Sequence, residues 1–204
     1  MTTKDSTNKV AQSGRQIVLD TETTGLVGAR LVSIGMLEMV DGKPTGKTFY
    51  RIVNPEVQMD DFVISIHRIT NDMAAQEPTF AAIAQDVRDF IGDSQVVITC
   101  RTHDGVTLDI AVLNDELTRT GQREVPAGQW LNVRRWSEEM FGTQGARLDA
   151  LLDRYNVSRA QRDAEGHGAL LDAQLLAAVY PSLLSDYLKH QGPKPQNKQK
   201  PPSV

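Results

Sequence analysis

Residues 17–26 read IVLDTETTGL: an apolar run that ends on two carboxylates, Asp20 and Glu22, set two positions apart. The near-continuous Ile-Val-Leu run predicts a strand over Gln16–Thr21 with both faces covered, as in the middle of an α/β sheet. In such a strand positions i and i+2 point the same way, roughly 6–7 Å apart. Two like charges at that distance repel by about 2–3 kcal/mol at an effective dielectric near 20. Something must offset that cost. A divalent cation would do so, although an Asp at a strand end also serves as a turn or capping residue, and TETTG is rich in groups that cap backbone N–H.

The pattern on either side supplies the rest of the sheet. Leu31–Val40 and Lys47–Val53 read as two further strands joined by DGKPTG, a turn rich in Gly and Pro. Phe80, Ile83, Val87 and Ile91 recur at helical spacing and stop at Gly92. VVIT at 96–99 is a fourth strand, followed by a helix from Leu108 to Arg119 that stops near Gly121. A short strand around Trp130 precedes a helix reaching Met140. Leu148, Leu151, Leu152 and Tyr155 mark another helix, and Ala169–Val179 is the last. Three strands followed by alternating helices and strands predict an α/β domain on a mixed central sheet.

Length fits one domain with a substantial core, 204 residues in all. Residues 1–15 are polar and aperiodic and read as a flexible N-terminus, 16–186 as the domain, and 187–204 as a disordered tail rich in Lys, Pro and Gln. A net charge of −4 gives no basic footprint for non-specific duplex binding, but leaves room for an enzyme that grips a nucleic-acid end through metals. The lone Cys100 excludes an internal disulfide, fits a reducing cytoplasm and reads as a small buried apolar residue. No apolar stretch reaches membrane-spanning length and the N-terminus lacks a signal-peptide core, so a soluble cytoplasmic protein is expected.

Three more residues extend the acidic pair. Asp109 falls in the first turn of its helix, where the dipole favours an acid, but Val112 and Leu113 place it at the edge of the apolar face. Asp115 and Glu116, further along, read as solvated charges. Asp172 shares the stripe of Leu175, Leu176 and Val179, where a carboxylate must be paired or metal-bound. His167 stands five residues earlier between Gly166 and Gly168, in a segment free to swing an imidazole toward whatever Asp172 faces. Hard oxygen ligands of this kind suit Mg²⁺ or Mn²⁺. Two such ions would clamp the attacking and leaving oxygens of a phosphodiester, with His167 taking a proton from water.

These residues resemble the motifs of the DEDD exonucleases, in the subgroup with a histidine base, and within it the epsilon proofreading subunits of bacterial DNA polymerase III. RQIVLDTETTG is similar to the first motif and carries Asp20 and Glu22. LDIAVLNDEL is similar to the second, with Asp109. RLDALLDRYNV followed by HGALLDAQLLAAVY is similar to the third, whose H-x-A-x-x-D spacing supplies His167 and Asp172. The likeness runs from Gln16 to Leu184.

The resemblance implies a ribonuclease H-like fold with a five-stranded mixed sheet flanked by helices. It implies a 3′–5′ DNA exonuclease of the proofreading type, releasing nucleoside monophosphates from single-stranded or mispaired 3′ ends with two Mg²⁺ or Mn²⁺ ions. Asp20, Glu22, Asp109 and Asp172 would hold the metals and His167 would be the general base. Thr23, Thr24, His67 and Leu108 would contact the terminal nucleotide. An RNA or oligoribonucleotide 3′–5′ exonuclease, and a non-catalytic binding subunit of a replication complex, are the alternatives. The family's second motif usually places an aromatic before its Asp, where this chain has Leu108 within CRTHDGVTLD. The DNA polymerase III alpha subunit enters as a partner through the resemblance alone, because PKPQNKQKPPSV lacks the apolar anchors of a polymerase-binding segment.

Overall fold

The computed structural model describes residues 14–100, 102–103 and 106–192. Its centre is β1 (Arg15–Thr23), flanked by β2 (Leu31–Val40) and β4 (Gln95–Ile98); β3 (Lys43–Ile52) and β7 (Trp130–Asn132) form the edges. The sheet order is β3-β2-β1-β4-β7. β1, β2 and β3 form an antiparallel meander, while β4 and β7 run parallel to β1. This is the mixed five-stranded sheet expected. A small separate hairpin pairs β5 (Thr102–His103) with β6 (Val106–Thr107).

Both faces of the sheet are covered, which explains the unbroken apolar run in β1. Ile17 and Leu19 point into one core with α3 (Phe80–Ile91) and α4 (Leu108–Arg119). Val18 points the other way, into a core with α5 (Arg134–Gly145), α6 (Leu148–Arg154) and α8 (Ala169–Gln191). Two short helices, α1 (Asp61–His67) and α2 (Asn71–Ala75), cover the end of β2 through Val32, Met59, Ile69 and Ala74. A third, α7 (Ala160–Glu165), precedes α8.

Gly35 sets the distance between the sheet and α8. A Cβ at this position would lie 2.2 Å from the backbone nitrogen of Leu170. Only a residue without a side chain lets the first turn of α8 rest directly on β2. Gly35 is also the partner of Asp20 across the β1–β2 ladder.

Several boundaries and environments differ from the sequence reading. Arg15 is no flexible lead-in. Its guanidinium donates to Glu38 Oε1 (2.6 Å), Ser94 Oγ (2.6 Å), and the carbonyls of Phe90 and Ile91 at the end of α3. The β2–β3 connection is tighter than DGKPTG suggested: Asp41 and Gly42 both take positive φ, Val40 pairs with Lys43, and β3 begins at once. Two positive-φ residues are what a two-residue hairpin needs to match strand twist.

The last helix does not stop near Val179 or at Asp186. It passes through Pro181 to Gln191, so the first residues of the predicted tail are helical. The missing Pro donor is outweighed by packing: Tyr187 stacks on Trp136 with centroids 4.6 Å apart, and the Tyr155 hydroxyl hydrogen-bonds to Asp186. The rest of that tail, 193–204, and residues 1–13 lie outside the described residues.

Glu116 is a further correction. It is buried, not solvated, and accepts from Arg30 Nε at 2.5 Å, with Arg30 also reaching Glu56. The pair fastens the loop after β1 to α4.

Candidate active site

β1 delivers the first two carboxylates. Asp20 and Glu22 lie opposite Gly35 and Ser33 of β2, on the face that Val18 shares and α8 covers. α4 begins at Leu108, beyond the end of β4, so Asp109 in its first turn reaches the same end of the sheet from the other side. There the Thr21 hydroxyl donates to Asp109 Oδ1 at 2.5 Å. α8, seated on Gly35, brings in Asp172 from its first turn.

His167 precedes that helix, with its backbone N–H on the Ile66 carbonyl at the end of α1. Gly166 before it has φ +85°, and a Cβ there would meet the Arg68 side chain and the Ile66 carbonyl. The glycine is required for this close turn.

The five residues singled out for chemistry therefore converge. Asp20, Glu22, Asp109, His167 and Asp172 all line one cavity of about 450 Å³. Ligand atoms of Glu22, His167 and Asp172 lie within 4.8 Å of one another.

The other predicted residues do not line that cavity. The Thr23 hydroxyl donates to the Gly25 carbonyl and the Thr24 hydroxyl accepts from Arg30 N–H, so both hydroxyls shape the loop 24–30. Buried His67 uses Nδ1 to accept from Ile69 N–H. Leu108 packs on the α3–α4 core.

Clustered carboxylates titrate abnormally. Burial, followed by the charges of Asp109, Glu22 and Asp172, holds Asp20 well above the usual carboxyl range. Burial and then Asp172 push Glu22 up to about 7. Burial also raises Asp109, against hydrogen bonds from Thr21 and Cys100 that favour its anion. Cys100 is thus not simply an apolar filler: it lines the cavity beside Asp109, and burial pushes its thiol pKa up.

This donor set fits a divalent metal. It is oxygen-rich with one imidazole, sets carboxylates close enough to repel one another, and includes Thr99 Oγ, a buried hydroxyl with no hydrogen-bond partner among the described residues.

The cations of the cavity carry no signal in the sequence pattern. Arg134, Arg147 and Arg162 line it, as does Asp149. Arg134 is tied to Glu138 and to the carbonyls of Thr143 and Ala146. Arg162, buried on α7, forks onto Asp172, with Nε 2.6 Å from Oδ1 and Nη2 3.1 Å from Oδ2. Its Nη1 pairs with Asp149, and its Nη2 is 2.9 Å from His167 Nδ1. Nothing in the polar stretch SRAQRDAE marks Arg162 as buried. Only the arrival of α8 makes it so.

Comparison with known proteins agrees with this geometry. A family model described as "Exonuclease" (RNase_T) matches residues 17–180. The chain is 38% identical over 176 residues to DNA polymerase III subunit epsilon of Rickettsia conorii, covering 83% of this chain and 74% of that protein. It is 33% identical over 177 residues to the Escherichia coli subunit of the same name, covering 81% and 70%. Among solved structures, the nuclease domain of 3'hExo, a DEDDh family member bound to rAMP, superposes with a TM-score of 0.69 at 20% identity, covering 87% of this chain and 94% of that one. Exonuclease X in complex with 5′-overhanging duplex DNA gives 0.58 at 25% identity, covering 88% and 94%. The shared architecture is the ribonuclease H-like fold.

Proposed function

This chain belongs to the exonuclease family, and from that premise we propose that it is a 3′–5′ DNA exonuclease of the proofreading type. It would hydrolyse the terminal phosphodiester of single-stranded or mispaired 3′ ends and release nucleoside monophosphates. The observation that carries the reading is the convergence of Asp20, Glu22, Asp109, His167 and Asp172 on one cavity from β1, α4 and the start of α8. The relatives named DNA polymerase III subunit epsilon support DNA as substrate and association with a polymerase; the alpha subunit as that partner rests on the motif resemblance alone.

Asp20, Glu22, Asp109 and Asp172 would hold two Mg²⁺ or Mn²⁺ ions. When bound, such ions neutralise the carboxylate cluster and stabilise charge on the phosphodiester oxygens. Thr21 keeps the Asp109 carboxylate turned toward the others. His167 accepts the proton of the attacking water. Its position at the exposed side of the cluster gives water and substrate access to the ring. Asp172 draws the imidazole pKa upward, against the effects of burial and of Arg162. Contacts of Thr23, Thr24, His67 and Leu108 to the terminal nucleotide rest on the motif resemblance alone, since none of the four lines the cavity.

The test is a 3′-labelled single-stranded DNA oligomer incubated with Mn²⁺, beside a matched RNA oligomer. Labelled monophosphate should leave the DNA, stop on chelation, and be lost in Asp20→Ala. Unchanged release by Asp20→Ala would overturn the assignment, and faster release from RNA would move the substrate to the oligoribonucleotide alternative.

A further inference from the structure

Arg162 stands where the proposed chemistry needs a cation. Its planar fork takes both oxygens of Asp172, and the same guanidinium reaches His167 Nδ1 and Asp149. A guanidinium has only donors, so in the neutral imidazole the contact to Nδ1 occupies that nitrogen's lone pair and leaves the proton on Nε2. One side chain therefore engages a proposed metal ligand and the proposed base together.

Resting on the metal reading above, we propose that Arg162 competes with a divalent ion for Asp172, whose two oxygens its guanidinium already takes. Loading the site and freeing His167 Nδ1 are then one event. An oxygen of Asp172 that accepts a charge-assisted bond from Arg162 is not free to serve a metal ion in the same direction.

The surroundings provide for the exchange. Asp149, at the N-terminus of α6 and 44% exposed, remains as a partner for the guanidinium once it leaves Asp172. Arg162 sits on a helix of six residues that ends at Gly166, and His167 is followed by Gly168. Arg68 holds this segment through the Ala164 carbonyl and Ile66 through the His167 N–H, so the exchange needs only the Arg162 side chain to turn from Asp172 toward Asp149, while Asp172 itself is fixed by α8.

The experiment measures Mn²⁺ affinity by calorimetry and by the electron paramagnetic resonance of free Mn²⁺, on wild type, Arg162→Gln and Arg162→Lys, with thermal melting of each metal-free protein. Arg162→Gln should bind Mn²⁺ about tenfold more tightly, the scale of one charge-assisted hydrogen bond removed from the competition. Its metal-free form should melt at a lower temperature, because Asp172 loses its partner. Arg162→Lys, which keeps the charge without the fork, should fall between the two and serves if the glutamine variant does not fold.

Wild-type uptake that is unchanged or weakened in both variants would overturn the competition and leave the metal reading intact. A purely structural Arg162 would lower the melting temperature without tightening the metal. No saturable uptake by any of the three proteins would remove the metal reading and this proposal together.

Discussion

The Thr21 hydroxyl and the Asp109 carboxylate meet at 2.5 Å across the end of the sheet, joining the central strand to the first turn of α4. Thr21 points away from Asp20 and Glu22, yet it sets the orientation of the carboxylate that must act beside them. Groups that orient metal ligands cost about 10- to 100-fold in metal affinity or activity when removed. Thr21→Val should therefore weaken Mn²⁺ binding and nuclease rate by that order while keeping the fold. Titration calorimetry beside the oligonucleotide assay checks it.

His167→Ala tests the base. Loss of general-base catalysis should lower kcat by about 10²–10⁴-fold. Asp20, Glu22, Asp109 and Asp172 remain in place, so the variant should still take up Mn²⁺. Retained uptake with lost turnover separates a base from a ligand.

Stability of the metal-free protein should fall as pH rises from about 4.5 to about 7. Glu22 keeps its proton to about 7 in the folded chain, whereas its ordinary value is 4.5, and Asp20 and Asp109 are shifted in the same direction. The folded state binds more protons over that window, so unfolding becomes easier as they leave. Metal should reverse the trend. Ligands must be deprotonated to bind, so added Mn²⁺ should raise the melting temperature more at pH 7.5 than at pH 5. At a free concentration a hundred times the dissociation constant the gain is about 2.7 kcal/mol. Melting curves across this range, with metal and with chelator, provide the readout.

Gly35→Ala should disable the enzyme without touching a ligand. The new methyl would lie 2.2 Å from Leu170 N, so α8 must move away from β2. Overpacking of this kind costs about 1–3 kcal/mol. The displaced helix carries Asp172 away from Asp20. A lower melting temperature together with lost Mn²⁺ affinity is expected, and a variant with normal affinity would show that the close approach is not what places Asp172.

The carboxylate half of the site was legible because each acid disturbs a pattern: Asp20 and Glu22 end an apolar strand, Asp109 edges an apolar helix face, and Asp172 interrupts a core stripe. The cationic half was not. Arg162 and Asp149 lie in polar stretches with no local anomaly, and their pairing arises from three elements meeting. Glu116 failed for a related reason, since its partner Arg30 lies on a loop with no periodicity of its own. The full length of α8 was hidden by Pro181, whose local penalty is overridden by the Trp136–Tyr187 stack. The short helices α1, α2 and α7 are too brief to register as periods.

The seating of α8 on Gly35 bears on how the molecule comes into being. Asp20 and Glu22 emerge from the ribosome early, and Asp172 only with the last described helix. A nascent chain lacking that helix holds Asp20, Glu22 and Asp109 but not Asp172, so the carboxylate cluster stays incomplete until α8 is made. The four carboxylates meet only after the last described helix has docked on β2, so the order of synthesis leaves completion of the cluster until late.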